Sequence, residues 1–204
     1  MGDPRDLERV RGFRNVVVAT GHMTDAPDRE APRFPESQVS QATRRVGELF
    51  DRWKLGPGDL LICGGARGGD IIAAEQALER ECEVWVLLAN PPDLFERHSV
   101  DGGAQGWVQR FRRLLSVAPS WVLDEAELAD ERAGGDDAPD DSVYEAANEW
   151  MLRVAERQAP GAFRVVAVWD GKAAAGVGGS GHMVDQAIEL GAEVEVVDPL
   201  AGIT

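Results

Sequence analysis

Two glycine-rich segments, GGARGGD at 64–70 and GVGGSGHMVD at 176–185, hold the residues of this sequence best suited to chemistry. Each follows a β-branched apolar run, directly or at short distance, and leads into an amphipathic helical pattern. A strand that breaks into glycines before a helix leaves backbone N–H groups open at the helix N-terminus, where phosphate binds without a positively charged pocket. In the first segment Gly64, Gly65, Ala66, Gly68 and Gly69 let the backbone approach a ligand closely. Arg67 is placed to clamp a phosphate bidentately, and Asp70 to cap the following helix or to meet a ribose hydroxyl. In the second segment Gly178, Gly179 and Gly181 supply backbone, while Ser180 and His182 supply hydrogen-bond donors. Asp185 stands one helical turn beyond Gly181, where a carboxylate can act as general base or stabilise a ribosyl cation. A tight turn without a ligand and a solvated helix-face aspartate use the same residues, and both readings stay open. The first segment has neither the GxGxxG spacing of a dinucleotide fingerprint nor the terminal Lys-Ser/Thr of an ATPase phosphate loop.

A near-repeat links the second segment to an earlier one. Thr20-Gly21-His22-Met23-Thr24-Asp25 matches Ser180-Gly181-His182-Met183-Val184-Asp185 in its order of hydroxyl, Gly, His, Met and Asp. Thr20, Gly21 and His22 therefore join the candidate ligand contacts. Two His-x-x-Asp pairs are compatible with a divalent metal, but contact of the hydroxyls and imidazoles with phosphate or ribose is preferred, and no metal is assigned. Ser99, with Phe95, Arg97 and His98, follows the third apolar run and is placed at the same mouth, Phe95 as a loop anchor. Asn148, Trp150 and Asp170 are within reach of a base or ribose, and Trp169 is assigned to the core.

The elements that must position these groups alternate. Apolar runs expected as strands lie at 15–20, 59–63, 83–89, 120–123, 164–169 and 193–197. Helical spacing of apolar residues falls between them: from Val39 to Trp53, through Ile72 to Leu78, from Trp107 to Leu115, over 143–158 and over 183–190. This pattern predicts an α/β chain, a three-layer Rossmann-like fold with a mainly parallel sheet flanked by helices, forming one domain over 1–204. Residues 124–141, with nine acidic side chains and one arginine, are read as an irregular acidic loop. In such sheets ligands bind beyond the carboxyl ends of the strands, and both glycine segments fall there.

Charge narrows the partner. Lys plus Arg number 21 against 36 Asp plus Glu, a formal net charge of −15, which opposes a nucleic-acid backbone but not a small ligand held by local amide dipoles. Cys63 and Cys82 flank apolar runs as small buried residues of a reducing compartment, not as a disulfide or metal knuckle. The charged N-terminal segment and the absence of a long apolar stretch point away from the membrane and towards the cytoplasm.

These residues resemble the SMF/DprA–LOG (SLOG) superfamily, which joins the DNA-processing protein DprA to the Lonely-Guy phosphoribohydrolases. The first glycine segment is similar to that superfamily's early glycine motif. The second is similar to the Lonely-Guy pattern GGxGTxxE, with His182 in place of the threonine and Asp185 in place of the glutamate. The resemblance implies a Rossmann-like nucleotide-binding protein that pairs as a homodimer through sheet-flanking helices. It also implies, as an alternative, cleavage of a nucleoside monophosphate to base and ribose 5-phosphate with Asp185 as the catalytic carboxylate. A third reading makes the chain a non-enzymatic interaction module whose acidic loop docks a basic partner. The expected partner is a nucleotide or nucleotide-derived small molecule, without nucleic acid, membrane or additional cofactor.

Overall fold

The computed structural model describes residues 2, 4–27, 29–103, 106–123, 141–172 and 179–201. Its centre is a run of β-branched residues that cannot pack well on a helix but fill a pleated sheet. That run forms β1 (Val16–Gly21), followed in order by α2 (Val39–Trp53), β2 (Leu60–Cys63), α3 (Gly69–Leu78), β3 (Glu83–Leu88), α5 (Trp107–Val117), β4 (Ser120–Val122), α6 (Asp141–Gln158), β5 (Arg164–Val168), α7 (Ser180–Glu189) and β6 (Glu193–Val197). A short α1 (Pro4–Glu8) precedes them, and α4 (Pro92–Phe95) runs directly into a π-helical turn over Glu96–Val100. The six strands pair in the order β4-β3-β2-β1-β5-β6, every pair parallel, so the predicted three-layer Rossmann-like fold is the observed one.

The period of two within each strand divides the apolar side chains between two cores. Val17 and Ala19 of β1 face one side with Val46 and Phe50 of α2 and with Ile72 and Ala73 of α3. Val16 and Val18 face the other with Leu152 and Ala155 of α6 and with Met183 and Ala187 of α7. Since parallel crossovers are right-handed, β1 to β4 must advance one way with helices on one face, and the step from β4 to β5 must return over the other. The reversal opens a crevice between the carboxyl ends of β1 and β5, the place where such sheets bind ligands.

Several boundaries differ from the sequence expectation. Both glycine segments enter their helices early, α3 at Gly69 and α7 at Ser180, because these glycines occupy helical turns as well as the loops before them. The stretch after β3 is helical, not a plain loop. The acidic stretch lies outside the described residues up to position 140, and Asp141 opens α6. Cys63 and Cys82 are buried free thiols. Among the described residues no helix is long and apolar enough to cross a membrane.

The opposite edge of the sheet is fixed by one buried carboxylate. Asp59 accepts hydrogen bonds from the Asn15 amide at 3.1 Å, the Asn15 side chain at 2.9 Å, the Gly56 amide at 2.7 Å and Arg14 at 3.0 Å. It ties the entries of β1 and β2 together, far along both strands from the crevice.

Candidate functional site

A cavity of about 630 Å³ occupies the crevice. Thr20, Gly21 and His22 line it from the end of β1, Gly64, Ala66, Arg67 and Asp70 from the first glycine segment, Ser99 from the π-helical turn, and Gly179 and Ser180 from the start of α7. Four separate loops expected at one edge therefore do meet around one space. Gly65, Gly68, Gly69, Gly181, His182 and Asp185 are not in its wall. Gly178 lies outside the described residues.

Most amides of the first glycine segment are engaged within the chain. The carboxyl of Asp70 turns back and accepts a hydrogen bond from the Ala66 amide at 3.3 Å, with the Gly64 and Gly65 amides also directed at it. The neighbouring amides are used as well: Arg67 N–H donates to the Ser99 carbonyl at 3.0 Å and Gly69 N–H to the His22 carbonyl at 3.2 Å. Burial pushes the Asp70 carboxyl up to about 7, and the three amide contacts only partly oppose that shift. The chain thus fills its own anion cradle with a carboxyl group, a correction to the expectation that this turn is open to phosphate. Nor does Arg67 present a free fork. Its Nε donates to the Thr24 carbonyl at 3.2 Å and its Nη1 to the Asp101 carbonyl at 2.6 Å, pinning two loops over the turn.

The glycines here answer to the backbone packed on them. At Gly68, φ is +96° and a Cβ would stand 2.4 Å from the His22 carbonyl oxygen. At Gly69 it would stand 2.9 Å from the Cα of Gly21, so α3 rests directly on the end of β1. Gly65 faces Val86 and Phe111 in the core.

The densest polar chemistry belongs to His22. Its Nε2 lies 2.9 Å from Oδ1 of Asp170, and both side chains are buried. Burial favours the protonated form of Asp170, but the hydrogen bonds from His22 and from the Lys172 amide at 3.2 Å outweigh it and hold the carboxyl below its usual range. A carboxylate only accepts, so Nε2 carries the proton. Burial, helped by the charges of Arg33 and Arg29, lowers the pKa of His22 against the opposing pull of Asp170, which keeps the ring neutral at pH 7. Arg33 and Arg29 line the same cavity and add a positive field at the ring. Arg29 leans on Asp25, whereas the Arg33 guanidinium makes no hydrogen bond or ion pair among the described residues. Arg33 sits in a loop with no periodicity, and nothing in its spacing marked it as a site residue.

The near-repeat does not produce two His-x-x-Asp pairs. His22 pairs with Asp170, while Asp25 accepts the backbone amides of Arg33 and Phe34, each at 3.0 Å. His182 is not in the cavity wall and lies 3.0 Å from Glu145 of α6, without hydrogen-bonding geometry. Asp185 is exposed on α7 outside the cavity wall, a correction to its expected place at the mouth. Helical phase explains this: α7 begins at Ser180, so positions 183 and 184 face the core and 185 faces solvent. Among the described residues no group of three or more His, Cys, Asp or Glu gathers as a metal site.

Other expected residues divide. Asn148 lines the cavity from α6, and Tyr144 beside it shares a hydrogen bond of 3.0 Å with Ser99. His98 and Phe95 line it too, with Phe95 also stacked on Phe111 at 5.8 Å. Trp150 packs against the cores, and Trp169 is only half-buried, its ring beside Gly181 and its Nε1 donating to the Lys172 carbonyl at 2.9 Å.

No known protein family matches this sequence, and no curated protein does. Among solved structures, the chain is similar to DNA processing protein A (DprA) from Streptococcus pneumoniae, at 15% identity and a TM-score of 0.49, over 97% of this chain and 55% of that one. It is similar also to TM1055, a structural genomics target, at 18% identity and a TM-score of 0.45, over 88% of this chain and 72% of that one. The chain spans about half the length of the DprA chain.

Proposed function

We propose that this protein binds a nucleotide or nucleotide-derived small molecule in the cavity at the β1–β5 crevice. The observation that carries the reading is the composition of that wall: a volume of about 630 Å³ with hydroxyls, two imidazoles, three arginines and the N-terminal turn of α7 converging on it. Such a volume is ordinary for a small-molecule site. Recognition of the phosphate falls to Arg33 and the first turn of α7, where the amides following Gly179 point towards the N-terminal end of a ten-residue helix. The first glycine segment, self-satisfied through Asp70, shapes the floor instead.

Thermal unfolding with AMP, ADP-ribose and cyclic nucleotides tests this directly. A ligand present at about a hundred times its Kd stabilises the native state by about 2.7 kcal/mol, a shift of several degrees. The expected result is such a shift for at least one of these phosphate-bearing nucleosides. No shift across the panel at millimolar concentration contradicts the reading. Cleavage of the N-glycosidic bond is not part of the proposal, since the carboxylate assigned to it, Asp185, stands outside the cavity wall.

A further inference from the structure

His22, in the wall of the cavity, has a ring nitrogen whose hydrogen-bonding role is dictated by its neighbours and left unused by them. His22 Nε2–H is committed to Asp170, and the remaining ring nitrogen, Nδ1, has no partner among the described residues. Asp170 is itself fixed, since the Lys172 amide donates to the same oxygen at 3.2 Å and the Lys172 ammonium stands 4.0 Å from the other. The backbone that carries the ring is fixed as well, its amide donating to the Val168 carbonyl at 2.8 Å and its carbonyl accepting from Gly69. In a neutral imidazole with the proton on Nε2, Nδ1 is an acceptor and nothing else. A phosphate oxygen, also an acceptor, is repelled there. A ligand hydroxyl is not.

We propose that His22, oriented by Asp170, is the hydroxyl-recognising residue of the cavity, its Nδ1 accepting a hydrogen bond from a sugar hydroxyl of the bound nucleotide. The inference rests on the nucleotide reading above and deepens it: the site selects for a ribosyl group, through His22, as well as for phosphate, through Arg33 and α7. Discrimination follows from asymmetry. A ligand that lacks the hydroxyl leaves a partly desolvated acceptor without a donor, which is worse than a contact never made.

Calorimetric titration of AMP, 2′-deoxy-AMP and 3′-deoxy-AMP into the wild type, His22→Gln and Asp170→Asn decides the matter. Glutamine keeps an amide N–H for Asp170 but has no acceptor at the Nδ1 position, so the buried carboxylate stays satisfied and the fold is preserved. The wild type is expected to bind one of the two deoxy nucleotides about 5- to 10-fold more weakly than AMP. His22→Gln is expected to bind AMP about as weakly as that analogue and to lose the discrimination. Asp170→Asn, in which the amide no longer dictates which nitrogen carries the proton, reduces the discrimination while retaining the imidazole, and gives the same reading should His22→Gln not fold. A purely structural role for His22 would weaken all three ligands together and leave their ratio unchanged. Equal binding of AMP and both deoxy analogues by the wild type, or discrimination that survives in both variants, overturns the proposal while leaving the nucleotide reading intact. Failure of all three ligands to bind the wild type overturns the His22 proposal, and the nucleotide reading falls with it where ADP-ribose and the cyclic nucleotides give no thermal shift either.

Discussion

Asp70 shows how a single side chain can redirect a motif. The glycine-rich turn bears every local sign of an anion cradle, yet the anion it receives is its own carboxyl group, three amides being directed at it from Gly64, Gly65 and Ala66. With its pKa raised from the ordinary carboxyl value to about 7, the folded state binds a proton that the unfolded state has already released. The stabilisation from this group is therefore complete below about pH 4 and is lost as pH rises towards 7. The Tm of the wild type relative to Asp70→Asn should fall between pH 4 and pH 7, by on the order of 10 °C, and level off above. A difference in Tm independent of pH contradicts this assignment. Arg33 carries the opposite prediction, for binding. As a cavity arginine without a protein partner among the described residues, its replacement by alanine should weaken AMP about 10-fold and leave adenosine nearly unchanged. Equal losses for the two ligands would remove Arg33 from phosphate recognition. The turn itself was legible in the sequence, since four glycines in six positions announce a close approach. Its occupant was not, because nothing in the order of residues says whether Asp70 faces out as a cap or back into the turn.

At the scale of elements, Gly68 and Gly69, expected as ligand contacts, are points of close packing outside the cavity wall. α3 presses on the end of β1 so closely that a methyl group at Gly68 or Gly69 would meet backbone at 2.4 or 2.9 Å. Gly68→Ala must also force a positive φ on a residue with a Cβ, so it should destabilise the protein by about 2 kcal/mol or more, measured by denaturant unfolding. Wild-type stability in that variant would show that the loop after β1 can move away. Strand positions were readable because β-branched runs such as Val16–Val18 have one good solution in a parallel sheet, and helices because their apolar spacing matched two separate cores. Helix starts were read less well. A glycine-rich segment that is half loop and half first turn gives no period until it is under way, and a difference of three residues at α7 turns Asp185 from the mouth to the solvent.

The whole molecule separates stability from recognition along the strands. One end of the sheet is bound together by Asp59, whose four hydrogen bonds hold β1 and β2 in register, and the other end carries the crevice. Against a net charge of −15, the wall of this crevice carries three arginines and a helix N-terminus beside the carboxyl groups of Asp25 and Asp70. The observed order of the strands fixes where the crevice must be, whereas alternation alone indicated only the carboxyl ends of the strands. What fills it depends on side chains from β1, β5, α6 and α7 that are distant in sequence, with His22 and Asp170 the plainest case at a separation of 148 positions. The most direct test of the account is therefore one AMP binding isotherm measured on the wild type and on Ser180→Glu. Glutamate at the first position of α7 suits the helix dipole and leaves the fold stable, yet it sets a carboxylate where the phosphate is expected. Saturable binding by the wild type and its loss in the variant at unchanged Tm are expected; a variant that binds AMP as tightly as the wild type contradicts the site, as does a wild type that binds neither AMP nor ADP-ribose nor a cyclic nucleotide.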